Sequence, residues 1–203
     1  MSPRIIAIVG AGHAGGRVAQ HLLELDSDCQ VRLIGEEPYA PYERPALSKT
    51  VLAGERAWSE LMLAEEPFWN ANPRLQRIVA RVIALDPERR SLSLEDGRQV
   101  EFDELVVATG GTARALNVPG GDLPGLHVLR GISDCEKLAA TLVPGSRLLV
   151  VGAGVIGMEV ASTASALGVA VTVLDVSEQI MRRCLPPVVS QWLATEHQRA
   201  GIE

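Results

Sequence analysis

The sequence has few cysteines, no long apolar run and no excess of positive charge. Its three cysteines, Cys29, Cys135 and Cys184, form neither a metal-ligand spacing nor a C-x-x-C motif, which favours a reducing, cytoplasmic setting. The histidines also lack a mutual spacing typical of a metal site, so no metal is expected. No stretch reaches about 18 apolar residues, which argues against a transmembrane helix and a membrane partner. The formal net charge of −6 likewise disfavours nucleic acid as a partner.

One order of elements occurs twice along the chain. Of the 203 residues, 47% are hydrophobic and 22% are charged, a composition typical of a globular protein with a core. Apolar spacing predicts a strand, a glycine turn, a helix and a second strand in each copy, over residues 4–9, 10–16, 17–25 and 30–34, and again over 147–151, 152–157, 158–167 and 169–174. This order is a βαβ unit, and such units build parallel sheets. We therefore expect an α/β fold with two Rossmann-like dinucleotide-binding domains.

The segments between the two copies predict how the chain divides. A Glu95-Asp96-Gly97 turn indicates a small antiparallel hairpin inserted in the first domain, among strand patterns at 78–85, 91–94, 99–102 and 105–108. Further helices are predicted at 46–52, 135–142 and 188–200. A proline- and glycine-rich passage over 111–134 is typical of a domain junction. The expected domains are thus 1–112 and 113–203.

Each copy carries the motif G-x-G-x-x-G in its turn. The first copy reads Gly10, Gly12, His13, Ala14 and Gly15, and the second reads Gly152, Gly154, Val155, Ile156 and Gly157, with an alanine after the first glycine of each. In such a motif the first glycine makes a tight turn, the second lets the backbone approach a pyrophosphate, and the third lets the helix pack on the strand. The helix N-terminus then offers free amides to the phosphates. Both motifs predict dinucleotide sites, with a glycine turn that binds no ligand as the alternative for each.

An acidic residue follows the second strand of each copy. Glu36 stands 26 residues after Gly10, and Asp175 stands 23 residues after Gly152. A carboxylate at this place can accept hydrogen bonds from ribose hydroxyls. At Asp175 it would also repel the 2′-phosphate of NADP, and no arginine follows directly. The second site is therefore expected to prefer NADH to NADPH.

A further segment, from Pro41 through Tyr42-Glu43-Arg44-Pro45-Ala46-Leu47-Ser48 to Lys49, adds a specific signal. Together with residues 10–15, 108–110 and 152–159, it resembles the FAD-dependent ferredoxin and rubredoxin reductases, part of the wider superfamily of flavoproteins with two dinucleotide-binding domains. The resemblance covers essentially the whole chain, and the segment ending at Lys49 is its most specific part. Ala46 departs from the family, which usually has a second proline there, and this changes the stiffness of the loop.

The resemblance implies a role for individual residues. Arg44 and Lys49 would lie along the FAD, with Lys49 near the reactive edge of the isoalloxazine, where a cation can stabilise an anionic reduced flavin. Val82 would meet the adenine through its backbone. Glu159 would sit in the nicotinamide site and would pair with Lys49. Ala108, Thr109 and Gly110 would pass close to the cofactor where the chain leaves the first domain. The resemblance thus assigns FAD to the domain 1–112 and NADH to the domain 113–203.

The resemblance also implies an activity of the ferredoxin–NAD(+) reductase type. NADH would reduce FAD, and the electrons would pass to a small iron–sulfur protein, a ferredoxin or rubredoxin, that serves an oxygenase. Disulfide reductases of the superfamily need cysteines after the second strand, and residues 36–56 contain none, so thiol–disulfide chemistry is disfavoured. An oxygen-, quinone- or nitrite-linked flavoprotein and a non-catalytic nucleotide-binding module are the alternatives.

Two further expectations concern the ends of the chain and its surface. Full-length relatives return to the FAD domain after the NADH domain, and no such segment follows Glu203, so the chain is interpreted as the N-terminal half of a longer parent. The stretch from Arg74 to Arg90 contains five arginines but only two acidic residues. This cluster could attract an acidic ferredoxin, although such a run is more often a solvated face.

Overall fold

The computed structural model describes residues 3–203 and divides the chain into two compact units. The first unit comprises the chain up to residue 44 and residues 61–112, and the second comprises residues 45–60 and 113–203. One division therefore falls between residues 112 and 113. The order of elements in the sequence did not indicate that the segment 45–60 belongs with the later unit. The assignment of FAD and NAD to the two domains stays a prediction.

The first unit is built around a parallel sheet. Its elements in chain order are β1 (Arg4–Val9), α1 (His13–Leu25), β2 (Cys29–Gly35), α2 (Glu66–Asn70), β3 (Leu75–Val79), β4 (Val82–Asp86), β5 (Ser91–Leu94), β6 (Gln99–Glu101) and β7 (Glu104–Val107). The parallel sheet has the order β3-β2-β1-β7. Helix α1 joins β1 to β2, so the first predicted βαβ unit is confirmed.

Both faces of this sheet are covered, as parallel sheets require. On one face Ile8 and Leu33 are buried against Ala19 and Leu23 of α1 and against Trp69 of α2. On the other face the sheet packs against the antiparallel strands, through a cluster made of Ala7, Ile34, Ile78, Leu92, Leu94 and Val100. The continuous apolar runs of β1 and β2 therefore follow from burial on two sides.

The inserted antiparallel element has three strands, in the order β4-β5-β6. The prediction of one strand over 78–85 is wrong, because β3 ends at Val79 and β4 begins at Val82, and the two lie in different sheets. The apolar pattern runs through both strands, so it does not register the change of sheet. The helix expected over 46–52 is also wrong. Only a 3₁₀ helix forms there, over Pro45–Ser48.

The second unit repeats the βαβ arrangement. Its elements are α3 (Ile132–Ala139), β8 (Arg147–Val151), α4 (Val155–Ala166), β9 (Ala170–Leu174) and α5 (Pro187–Arg199). Strands β8 and β9 are parallel and adjacent, and α4 connects them. Helix α3 begins earlier than predicted because the Asp134 carboxylate accepts the backbone N–H groups of Arg130 and Gly131 and caps the helix. Across residues 3–203, none of the helices is long and apolar enough to cross a membrane.

Candidate functional site

The first glycine turn is closed at two of its glycines and open at the other. Gly10 has a φ of +112°, and a Cβ added there would lie 2.1 Å from the carbonyl oxygen of Ala108. A Cβ on Gly15 would lie 1.9 Å from the carbonyl oxygen of Gly10. At Gly12 the nearest atom to an added Cβ is Nη2 of Arg44, at 3.7 Å. The first and third glycines are thus needed for packing, whereas the second keeps a space free above the turn.

The second glycine turn shares the positive φ of the first glycine, the open second glycine and the packed third glycine, but nothing lies within 4 Å of a Cβ built on Gly152. Gly152 has a φ of +107°, and a Cβ on Gly157 would lie 2.1 Å from the carbonyl oxygen of Gly152. Nothing lies within 4 Å of a Cβ built on Gly154. Helices α1 and α4 start directly after these open positions, at His13 and Val155. Since a pyrophosphate needs close backbone approach and free helical amides, both turns fit a dinucleotide.

The carboxylate of Asp175 supports the second turn from β9. It accepts the backbone N–H of Ala153 at 2.7 Å and the backbone N–H of Ser177 at 2.7 Å. These two hydrogen bonds, that of Ala153 first, hold the pKa of Asp175 below its ordinary value. Asp175 is thereby fixed beside the turn as a negative charge.

The corresponding residue of the first unit, Glu36, is more exposed. Its carboxylate lies 3.3 Å from Nε of Arg81. The backbone N–H of Ala80 donates to the carbonyl of Gly35 at 2.9 Å, which holds the turn before β4 next to the end of β2. Glu36 and this turn therefore lie together at the carboxyl edge of the parallel sheet, where α/β folds bind ligands, and Val82 is the first residue of β4.

Arg44 lies beside the first glycine turn and is held there by an acidic and an aromatic residue. Its guanidinium pairs with Glu37 and lies 5.0 Å from the ring centroid of Tyr42. The Tyr42 hydroxyl donates to the other carboxylate oxygen of Glu37 at 2.5 Å. Sequence reasoning missed Glu37, since a second glutamate after a strand has no signature of its own.

Lys49 and Glu159 form an ion pair inside the second unit. Nζ of Lys49 lies 2.7 Å from Oε1 of Glu159, which α4 carries one turn after its start. The predicted pairing is therefore present, although Lys49 was assigned to the first domain and lies in the second unit instead. The positions of both residues relative to a flavin stay predictions.

The chain leaves the parallel sheet immediately beside the first turn. The backbone N–H of Ala108 donates to the carbonyl of Val9 at 2.7 Å, and the Ala108 carbonyl is the group that closes on Gly10. Thr109 is exposed, and Gly110 has a φ of +67°. The predicted segment Ala108 to Gly110 and the first glycine turn are thus brought together.

No cysteine belongs to either glycine turn or to the Lys49–Glu159 ion pair. Cys29, Cys135 and Cys184 are all free, and burial raises the pKa of the first two. A buried thiol that stays protonated is a poor nucleophile. In the described part of the chain, no group of three or more His, Cys, Asp or Glu side chains is arranged to hold a metal.

Two βαβ units, each with a glycine turn open at its second glycine, define a protein with two dinucleotide-binding sites. The chain belongs to the pyridine nucleotide-disulphide oxidoreductase family, whose family model matches residues 4–203. This match confirms the superfamily and the fold expected from the sequence.

Individual relatives narrow the comparison. The chain is 39% identical over 197 residues to the ferredoxin–NAD(+) reductase component of a biphenyl dioxygenase system from Paraburkholderia xenovorans, covering 97% of this chain and 48% of the relative. It is also 39% identical over 199 residues to the corresponding subunit of a benzene 1,2-dioxygenase system from Pseudomonas putida, covering 98% of this chain and 48% of the relative. The reductase in a crystal structure of a covalent putidaredoxin reductase–putidaredoxin complex superposes with a TM-score of 0.93 at 33% identity, covering 100% of this chain and 49% of that one. The chain spans about half the length of the curated relatives it matches.

Proposed function

We propose that this chain is the nucleotide-binding part of a cytoplasmic flavoprotein reductase that passes electrons from NADH through FAD to a ferredoxin or rubredoxin serving an oxygenase. The observation that carries the proposal is the pair of glycine turns, each open at its second glycine beside the first residue of a helix. The names of relatives at 39% identity, which are reductase components of dioxygenase systems, support the choice of acceptor.

The first unit would hold FAD through the groups around Gly12. The N–H groups that open α1, at His13 and Ala14, would face the pyrophosphate, and Arg44 would add a positive charge beside it. Glu36 would accept hydrogen bonds from the adenosine ribose. Bound FAD supplies the conversion between the two electrons of NADH and the single electrons that an iron–sulfur protein accepts.

The second unit would hold NADH in the corresponding way. The helix start at Val155 and Ile156 would face the pyrophosphate above the open position at Gly154. Asp175 would accept hydrogen bonds from the ribose while its own amide partners keep it in place. Its negative charge would disfavour a 2′-phosphate, so NADH is the expected coenzyme.

Lys49 would supply the positive charge near the flavin, and Glu159 would fix where that charge lies. The pair is about half exposed on the lysine side, with 46% of the Lys49 side chain and 24% of the Glu159 side chain accessible. An ammonium held by one carboxylate can still stabilise negative charge that develops close by. The residues of the chain thus contribute binding, orientation and electrostatic stabilisation.

The arginine cluster gives less support for acceptor docking than its charge suggests. Arg74 donates to the carbonyls of Leu23 and Asp26, and Arg77 donates to the side chain of Asn70 and the carbonyl of Pro38. These arginines are used within the unit. An acidic ferredoxin would therefore have to be attracted by the remaining arginines of the cluster, among which the Arg89 side chain is 85% exposed, or by charges elsewhere.

The experiment that tests the proposal starts from the intact protein reconstituted with FAD. We expect a yellow protein whose flavin absorbance is bleached by NADH without oxygen, with faster turnover for a ferredoxin or rubredoxin than for oxygen, a quinone or nitrite. Failure to retain flavin would contradict the proposal and would favour a non-catalytic nucleotide-binding module. Bleaching by NADH with preferred turnover by oxygen, a quinone or nitrite would keep the flavoprotein and reject the iron–sulfur acceptor.

A further inference from the structure

The hydroxyl of Ser48 is buried and directed at the carboxylate of Glu159. Ser48 is only 4% exposed, and its Oγ lies 2.5 Å from Oε2 of Glu159. The carbonyl oxygen of Pro45 is a second acceptor within reach, at 3.4 Å. Since the hydroxyl has one proton and the carboxylate is both closer and charged, Glu159 is the acceptor that the geometry selects.

The backbone that carries Ser48 is fixed from two helices of the second unit. Thr163, one turn after Glu159 on α4, donates its hydroxyl to the carbonyl of Ser48 at 2.9 Å. The Cys135 thiol on α3 donates to the carbonyl of Leu47 at 3.2 Å. The backbone of Ser48 is therefore held independently of Glu159, so Ser48 does not travel with a moving Glu159 side chain.

The two oxygens of Glu159 thus have separate donors. Ser48 occupies Oε2, and the Lys49 ammonium lies 2.7 Å from Oε1. The terminal torsion of a glutamate is broad, so a carboxylate bonded at one oxygen alone can rotate and take its partner with it. Because the Ser48 hydroxyl holds Oε2, the carboxylate cannot rotate freely. Oε1 therefore stays in one position, and so does the Lys49 ammonium bonded to it.

We propose that Ser48 is a positioning residue, whose hydroxyl locks the Glu159 carboxylate so that the Lys49 ammonium is held at one point of the site. This role rests on the proposed function, because the position of the ammonium matters where it can act on a bound flavin. Lys49 lies in the exposed part of the network, and Ser48 acts only through Glu159.

The first test follows the lysine directly and needs no flavin. Lys49 and Lys137 are the only lysines in the sequence, and Lys137 is exposed on α3 of the same unit. The intact protein would be labelled with limiting acetic anhydride, and acetylation at each lysine would be measured by peptide mass spectrometry. In Ser48→Ala we expect labelling of Lys49, relative to Lys137, to rise by about twofold to fivefold, the range that loss of an exposed ion pair allows. An unchanged ratio would overturn the proposal.

Matched variants separate the hydroxyl from packing. Thr and Val have nearly the same shape, so Ser48→Thr keeps the donor and Ser48→Val removes it while both fill the same space. We expect the labelling ratio of Ser48→Thr to stay near that of the unchanged protein and that of Ser48→Val to rise. Ser190→Ala controls for loss of a buried hydroxyl elsewhere in the unit, since Ser190 is 1% exposed and donates to the carbonyl of Ile180. Equal ratios for the Thr and Val variants would also overturn the proposal.

The second test uses the flavin-loaded protein and a double-mutant cycle. Ser48→Ala should slow flavin reduction by NADH and shift the flavin midpoint potential, and it should add nothing in a Glu159→Gln background. A Ser48→Ala effect of the same size in both backgrounds would mean that Ser48 only packs the segment. A protein that binds no flavin would contradict the proposed function. An unchanged labelling ratio would contradict the role of Ser48, whether or not flavin binds.

Discussion

At the scale of single residues, Asp175 combines a structural and a binding role. Its carboxylate accepts two backbone N–H groups at 2.7 Å each, and one of them belongs to the glycine turn. We expect Asp175→Ala to raise the dissociation constant for NADH by about tenfold or more, since hydrogen bonds to a charged acceptor are worth about 1.5–3 kcal/mol each. Titration calorimetry with NADH and NADPH would measure both constants.

The same variant should narrow the preference for NADH over NADPH, because a negative charge near the 2′-phosphate is removed. The neighbouring acidic residue Glu178, changed to Ala, controls for net charge and should leave the preference as it was. Since the pKa of Asp175 is lowered, its contribution is present near neutral pH and is lost only as pH falls through that lowered pKa. An unaltered NADH to NADPH ratio in Asp175→Ala would show that the side chain does not face the ribose.

The ion pair of Lys49 and Glu159 gives a second prediction at this scale. In the flavin-loaded enzyme, Lys49→Met should slow flavin reduction and lower the midpoint potential, because a positive charge near the flavin is lost. Glu159→Gln should change the affinity for the nicotinamide coenzyme while the flavin stays bound. Stopped-flow reduction of the four proteins of the cycle would test the coupling, and strictly additive effects would mean that the two residues act separately.

At the scale of an element, the strand–turn–helix unit separates binding from folding. Nothing lies within 4 Å of a Cβ on Gly154, whereas a Cβ on Gly157 would lie 2.1 Å from the Gly152 carbonyl oxygen. Gly154→Ala should therefore leave the melting temperature unchanged and weaken NADH binding by at least about tenfold, ~1.4 kcal/mol. Gly157→Ala should destabilise the fold by about 1–3 kcal/mol through overpacking. Thermal unfolding would measure the stability of the two variants, and calorimetry would measure their NADH binding. Loss of stability and loss of NADH binding in the same variant, with the other unchanged, would contradict the prediction.

The end of helix α1 gives another prediction for an element. Arg74 donates to the carbonyl of Leu23 at 2.5 Å and to that of Asp26 at 2.6 Å, at the end of a helix that has no basic residue in its last turn. A cation there satisfies carbonyls that the helix leaves open. Arg74→Ala should lower the free energy of unfolding by about 2 kcal/mol. Urea titration of both variants would measure this free energy. Arg89→Ala is the control and should change it little, because the Arg89 side chain is 85% exposed.

Elements were predictable from the sequence where one local pattern determines one structure. Both βαβ units could be predicted, because glycine spacing and apolar periodicity depend on local backbone geometry. The change of sheet after Val79 was not predictable, since the apolar pattern continues unbroken into β4. Ser48 was also missed as a site residue, because its acceptor is 111 positions away and a serine in a short turn has no signature. The family resemblance did place Lys49 beside Glu159, 110 positions away, so what the sequence leaves undetermined are distant contacts that no known motif marks.

At the scale of the whole molecule, the two units are interleaved along the chain. Residues 45–60 precede much of the first unit in sequence and belong to the second. Leu47, Ser48 and Lys49 are bonded to α3 and α4. Between residues 109 and 115 the chain has no regular structure and is exposed throughout, and Arg114 lies in this stretch. Exposed, unstructured connections are where proteases cut first.

Because the units are interleaved along the chain, limited proteolysis should give a result that two consecutive domains would not give. Trypsin should cut the intact protein early at Arg114, and the upstream fragment would then still carry residues 45–60. Because that segment is bonded to helices of the second unit, the two fragments should elute together in size-exclusion chromatography and separate only in denaturant. Arg114→Gln should suppress the cut. In a nicked protein that also carries Ser48→Val and Thr163→Val, the fragments should separate at lower urea, since two of the hydrogen bonds that fix the segment are gone. Fragments that separate without denaturant would mean that residues 45–60 do not belong to the second unit in solution.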